Sequence, residues 1–139
     1  MRGAVIDASV AVKWMVAEEH SGIALRLLRD YELLVAPAHW LAEAGNALWG
    51  KCHRRELAEG AVMERVAVLA GAPISATPLD ELLHAATTIS LQLGITVYDS
   101  LYISLAQNRR LPLITADRPL FEAAQHLVGP VEVRWIGAA

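Results

Sequence analysis

Four acidic residues, Asp7, Glu43, Asp99 and Asp117, stand where a folded chain could gather them. Asp7 comes one residue after the apolar run Ala4-Val5-Ile6, and Asp117 comes two after Leu113-Ile114-Thr115. Short apolar runs without polar alternation read as strands buried on both faces of a parallel sheet. Ligands of such sheets bind beyond the carboxyl ends of the strands, so both acids leave at the functional edge. Asp99 opens a helix and can face the same edge. Glu43 lies inside a helix, with only the small or short residues Asn46, Ala47 and Gly50 at three, four and seven positions on. Leu41, Ala44, Leu48 and Cys52 form a separate apolar seam, so the Glu43 carboxylate can be approached closely. No basic residue adjoins Asp7 or Asp99 in sequence. Packed like charges repel and a cation is the ordinary remedy. Carboxylate-only donors suit Mg²⁺, or Mn²⁺ in its place, rather than zinc. Ser9 and Thr115 are spaced to orient these carboxylates, and Asn46 shares the face of Glu43.

Each acid also has an ordinary explanation. Asp is a favoured N-cap, so Asp7, Asp99 and Asp117 could each simply cap the helix that follows. A lone mid-helix Glu is usually a solvated surface residue. The arrangement, two acids at the same end of two strands, is what favours chemistry over capping. Other chemistries find no support. The histidines, His20, His39, His53, His84 and His126, show no paired metal spacing and read as surface or core-edge residues. No phosphate-binding glycine loop and no GxSxG elbow occurs. Asp7-Ala8-Ser9 lacks the second aspartate of a phosphoaspartyl phosphatase. Arg109, Arg110 and Arg118 lie near the acids in sequence and are candidate contacts for phosphates; Lys51, His53, Arg54 and Arg55 are accounted for by the preference of basic side chains for helix C-termini.

The elements that must position these residues alternate. Strands are expected at 4–6, 33–36 and 113–115, with a last one through Val131, Val133 and Trp135. Helices are expected at Ser9–Ala17, at Ser21–Arg29 with Ile23, Leu27 and Leu28 in step, and at His39–His53, Leu57–Ala70 and Leu79–Leu93, the last closed by Gly94 as a C-cap. Two more are expected at Asp99–Gln107 and Pro119–Leu127. This pattern predicts an α/β fold with a parallel sheet covered on both faces, and a middle section made of helices alone.

The 139 residues suit one domain, 1–139, with no repeat or flexible linker. With 55% hydrophobic and 19% charged residues and a mean hydropathy of +0.35, the chain is too apolar for disorder. Trp14, Met15, Trp40 and Trp49 read by default as core residues; the alternative is that the apolar excess, Trp14 and Met15 included, covers a partner. The uncharged stretch 82–98 falls short of the ~20 apolar residues a membrane span needs. Its single cysteine, Cys52, cannot form an internal disulfide, which fits a reducing cytoplasm. A net charge of −3 argues against holding nucleic acid by bulk electrostatics, so any such chemistry is local.

Taken in order, Val5-Ile6-Asp7-Ala8-Ser9, Glu43-Ala44-Gly45-Asn46-Ala47-Leu48, the run from Tyr98-Asp99-Ser100 through Leu105-Ala106, and Leu113-Ile114-Thr115-Ala116-Asp117 resemble the motifs of PIN-domain ribonucleases, above all the VapC-type toxins of toxin–antitoxin pairs. The likeness spans nearly the whole chain. Each motif alone is loose, but four in this order within this length are specific. The resemblance implies a three-layer α/β/α fold with a short, mainly parallel sheet. It implies that the family's four acids correspond to Asp7, Glu43, Asp99 and Asp117, and that Thr115 falls where the family often keeps Ser or Thr. It further implies Mg²⁺-dependent hydrolysis of RNA phosphodiesters, a homodimer and a VapB-like antitoxin. Two alternatives stand beside it: a PIN nuclease that processes RNA without an antitoxin, and a non-catalytic interaction module in which the acids are caps.

Overall fold

A computed structural model describes residues 2–139. Five short strands, β1 (Gly3–Ile6), β2 (Leu33–Pro37), β3 (Ile74–Thr77), β4 (Leu113–Thr115) and β5 (Val133–Trp135), form one sheet in the order β3-β2-β1-β4-β5. Every pairing is parallel, with Val5 opposite Val35 on one side and Leu113 on the other. Among the described residues seven α-helices connect them: α1 (Ala8–Val12), α2 (Ser21–Asp30), α3 (Trp40–His53), α4 (Glu59–Ala70), α5 (Leu83–Leu93), α6 (Val97–Arg109) and α7 (Arg118–Ala124). This is the α/β/α arrangement that the alternating pattern predicts, with the central strands β1 and β4 wholly buried. Their lack of polar alternation has that cause, since helices cover both faces.

The chain order reverses between β1 and β4. Crossovers lead one way from β1 to β2 and β3 and the other way to β4 and β5, which splays the loops apart at the carboxyl ends of β1 and β4 and leaves a crevice. Asp7 and Asp117 leave the sheet at that point. α6 is the most deeply set helix, buried continuously from Ser100 to Ala106. It carries Asp99 in its first turn, while its far end returns to the opposite edge, where the Leu111 side chain packs over Gly3 at the start of β1.

Several boundaries differ from the sequence expectation. The middle section is not helical throughout, because Ile74–Thr77 pairs with β2 as an edge strand. Its sequence, Ile-Ser-Ala-Thr, has no apolar run, and β2 supplies the partner that makes it a strand. α1 ends at Val12 rather than Ala17; Lys13, Trp14 and Met15 donate three residues back, to Val10, Ala11 and Val12, which tightens the chain into a turn. A short 3₁₀ turn (Leu79–Glu81) precedes α5, and Gly94 (φ 68°) closes α5 as expected. α6 begins at Val97, two residues before Asp99, because Thr96 is its cap: the Thr96 hydroxyl accepts the Asp99 N–H at 3.1 Å. α7 starts at Arg118 and stops at Ala124, and Val131 lies outside β5. Trp14, a core residue by default and a docking residue in the alternative, is buried, with its indole N–H donated to the Ala24 carbonyl at 2.8 Å; Met15 is partly buried. Among the described residues no single helix is long and apolar enough to cross a membrane.

Candidate active site

Asp7 is 5% exposed and occupies the cap position of α1, yet its side chain makes no capping bond there. Its Oδ2 instead accepts two hydroxyls, Ser9 Oγ at 2.6 Å and Thr115 Oγ1 at 2.7 Å. Each hydroxyl has one hydrogen, and each accepts a backbone N–H in return: Ser9 from Ala116 at 3.0 Å, Thr115 from Asp117 at 3.0 Å. Their hydrogens are therefore committed to Asp7. This network stitches the exit of β1 to the exit of β4. Burial pushes the Asp7 carboxyl up from the ordinary aspartate range, the two hydroxyls offset part of that, and the Asp117 charge adds to it.

Asp117 does cap a helix. Its Oδ1 accepts the Leu120 N–H of α7 at 3.2 Å, so the capping explanation holds here, while among the described residues the second carboxylate oxygen has no donor. Asp99 caps nothing, because Thr96 holds that position. Half-buried, it is pushed up to about 6, first by burial and then by the charges of Asp7, Asp117 and Glu43. Glu43 is also raised by burial, and Asp7 and Asp117 reinforce the shift. All four acids thus share one electrostatic neighbourhood at the crevice.

Two residues that the sequence reading passed over hold Glu43. The buried Tyr102 donates its phenol to Glu43 Oε1 at 2.6 Å. His39 Nε2 lies 3.3 Å from the same oxygen and 3.1 Å from the Tyr98 carbonyl. With two acceptors facing Nε2, the hydrogen is assigned there, and the buried Nδ1 is left without a partner. A second proton would place an unsatisfied N–H in that position, and burial lowers the His39 pKa accordingly. Tyr102 was hidden in an apolar helix pattern. His39 was read as one more core-edge histidine, although its place four residues before Glu43 on one helix was a usable signal.

The acids do not close on one point. Among the described residues no three Asp, Glu, His or Cys side chains converge closely enough to enclose an ion as they stand. The fit to a hard divalent cation rests on the donors: oxygens only, each raising its neighbours' affinity for positive charge. The buried ammonium of Lys13 is engaged elsewhere, on the Glu19 carbonyl at 2.6 Å and Glu18 Oε2 at 3.3 Å. Asn46 is exposed and lines the crevice beside Glu43. Arg118 stands at the start of α7 with its guanidinium 3.9 Å over the Trp135 ring. Arg109 and Arg110 are exposed at the opposite end of α6 from Asp99, beyond the wrong edge of the sheet, and do not join the acids. Sequence proximity misled there because a helix antiparallel to the strands carries its two ends to opposite edges.

A family model described as the PIN domain matches residues 4–126. The ribonuclease VapC3 of Pyrobaculum aerophilum is 31% identical over 128 residues, spanning 91% of this chain and 98% of that protein. The ribonuclease VapC12 of Mycobacterium tuberculosis is 30% identical over 122 residues, 88% of this chain and 92% of that one. The DNA-bound VapBC structure from Salmonella typhimurium matches with a TM-score of 0.68 at 16% identity, covering 98% of this chain and 99% of that chain. The chain belongs to the PIN-domain family, with VapC ribonucleases among its relatives.

Proposed function

We propose that this protein is a Mg²⁺-dependent endoribonuclease that hydrolyses RNA phosphodiester bonds as the toxin of a toxin–antitoxin pair. The observation that carries the reading is the electrostatic coupling of Asp7, Glu43, Asp99 and Asp117 at the point where the strand order reverses. Family membership supports nuclease chemistry, and relatives named ribonuclease VapC support RNA as the substrate. The four acids would hold Mg²⁺, or Mn²⁺, with one oxygen of each of three already fixed: Asp7 Oδ2 by Ser9 and Thr115, Asp117 Oδ1 by Leu120, Glu43 Oε1 by Tyr102. When bound, the cation would offset the charge developing on the phosphate and make water a stronger nucleophile. Ser9 and Thr115 fix one oxygen of Asp7 and Tyr102 fixes one of Glu43, so binding would draw the remaining carboxylate oxygens inward around these held ones. Asn46, exposed one turn after Glu43, is free to donate to a substrate oxygen.

Structural likeness to VapBC complexes supports an antitoxin partner, and the exposed Met63 and Val68 of α4 offer apolar surface for a second copy. Cleavage of total RNA with mapped ends, with Mg²⁺ and in EDTA, tests the activity. Undiminished cleavage under thorough chelation removes the metal. Mass photometry at nanomolar to micromolar concentration tests the dimer. A nuclease of RNA processing differs in having no cognate antitoxin, so a short neighbouring gene whose product co-purifies with this protein and blocks cleavage separates the two. Calorimetric titration with Mg²⁺ that registers no binding would favour a non-catalytic module.

A further inference from the structure

Beside the acids lies a second space with the opposite charge. A cavity of about 480 Å³ between α1 and α3 is lined by Ser9, Asn46 and Ala116 on its inner side. These residues belong to the acid network: Ser9 bonds Asp7, Ala116 precedes Asp117, and Asn46 also faces the Glu43 crevice. The outer side carries Lys13, Lys51 and Arg54 against a single carboxylate, Glu18. Glu18 bridges the two lysines, with Oε2 3.3 Å from Lys13 Nζ and Oε1 3.3 Å from Lys51 Nζ. Glu18 thus fixes the two lysines, and Arg54 is paired through Nε with the exposed Glu56 Oε2 at 2.7 Å, so three cations meet two carboxylates and one positive charge remains in excess. Arg54 folds back so that Nη1 lies 3.2 Å from where a Cβ on Gly50 would stand, a position the missing side chain keeps open. Trp49, 57% exposed and stacked on His53, stands at the rim.

An acid-lined site in a chain of net charge −3 repels a polyanion. A bound cation would cancel that repulsion only at the scissile phosphate, and flanking phosphates need partners of their own. We infer that the α1–α3 cavity is the subsite for the RNA strand leading away from the scissile bond, with Lys51 and Arg54 pairing a backbone phosphate and Trp49 stacking a base. Lys13 stands behind them, anchoring Glu18 and hence the position of Lys51. The inference rests on the ribonuclease reading for its substrate. Lysines at helix ends often serve only the helix dipole. Here the excess charge is turned into a cavity that opens onto the acids.

Fluorescence anisotropy of a labelled single-stranded RNA oligonucleotide in EDTA, over a salt series, reads this subsite without catalysis. Lys51→Met and Arg54→Gln are each expected to weaken binding several-fold at low salt. Each should also reduce the slope of log Kd against log salt by about 0.7, and the double variant by about 1.4. Trp49→Ala is expected to weaken binding about ten-fold with the slope unchanged. Arg29→Gln, whose cation pairs with Asp30 on the remote α2, should move neither quantity. Wild type that fails to bind at low salt, or a double variant with wild-type affinity and slope, overturns the proposal. Cleavage kinetics in Mg²⁺ separate the two readings. A wild type that cleaves nothing removes the ribonuclease, whereas a cleaving wild type whose KM survives in the double variant removes the subsite alone. A double variant that binds RNA normally but loses a co-expressed protein partner assigns the cavity to protein docking and also overturns the proposal.

Discussion

Glu43 is held at one oxygen by Tyr102 and approached by His39 at the same atom, so its orientation depends on a hydroxyl that takes no part in the fold's backbone ladder. Tyr102→Phe keeps the buried ring and removes the hydroxyl that donates to Glu43 and faces the Ala8 backbone N–H. Partners of this kind typically change metal affinity by 10–100-fold, so half-maximal activity should need roughly ten times more Mg²⁺. Stability should fall by about 1 kcal/mol, the usual worth of one hydrogen bond. An unchanged Mg²⁺ requirement would reduce Tyr102 to a packing residue. Asp7→Asn makes a cleaner comparison, since both hydroxyls bond the same oxygen and an amide oxygen can accept them both. The variant therefore loses charge and little else. Melting in EDTA should give a Tm equal to or above wild type, with the stabilisation by millimolar Mg²⁺ and RNA cleavage both lost. A variant that still responds to Mg²⁺ and cleaves would reject Asp7 as a ligand.

At the scale of elements, α6 and α7 separate capping from chemistry. Asp117 both caps α7 and belongs to the acid group, so its two roles can be divided by substitution. Asn retains the cap and Ala does not. Asp117→Ala should melt as a protein about 1 kcal/mol less stable than Asp117→Asn, while both lose RNA cleavage alike. Equal stability would mean that the Leu120 bond contributes nothing. On α6 the cap is Thr96, and its hydroxyl holds the N–H of Asp99 itself. Thr96→Ala should cost about 1 kcal/mol and also lower cleavage, because the turn that aims Asp99 frays.

The charge of the whole crevice can be read through pH. Asp99 has a folded-state pKa of about 6, above the ordinary 3.8, because of burial and the charges of Asp7, Asp117 and Glu43. For an acid raised on folding, the native state binds the proton more tightly than the unfolded chain. Its ionisation therefore costs stability above the folded pKa, and that cost starts to be relieved as pH falls through about 6 and is gone only below the ordinary 3.8. His39, lowered by burial, works the other way, losing stability as pH falls below its unfolded value. Comparing wild type with Asp99→Asn cancels His39 and the remaining acids to first order. In EDTA the variant should melt higher than wild type at pH 7.5, and the difference should shrink by pH 5. Saturating Mg²⁺ should reverse the order at pH 7.5. A difference that stays constant with pH in EDTA would show that Asp99 is not coupled to its neighbours.

How much of this was written in the chain depends on the range of the forces involved. The strands β1, β2 and β4 and most helices were legible because burial on both faces leaves a contiguous apolar run and a one-sided contact leaves a 3.6-residue stripe; both are local records of solvent exclusion. The edge strand Ile74–Thr77 left no such record, since its only commitment is to the backbone of β2. The four acids were legible from their places after strands and at a helix start, which topology forces toward one edge. Their support was partly legible: Ser9 and Thr115 lie two residues from Asp7 and Asp117, within local reach. Tyr102 was not, because a side chain from an apolar helix face shows its partner only once the helices are packed. Arg109 and Arg110 show the converse, near in sequence to Asp117 yet carried to the far edge by the direction of α6. The sequence by itself determined the family, the central strands of the parallel sheet and the placing of four acids toward one edge, each specified by local pattern and order along the chain. Only the tertiary structure decided which oxygens are fixed, which aspartate truly caps a helix and where the positive charge lies, because those depend on distances between segments that the chain brings together only when it folds.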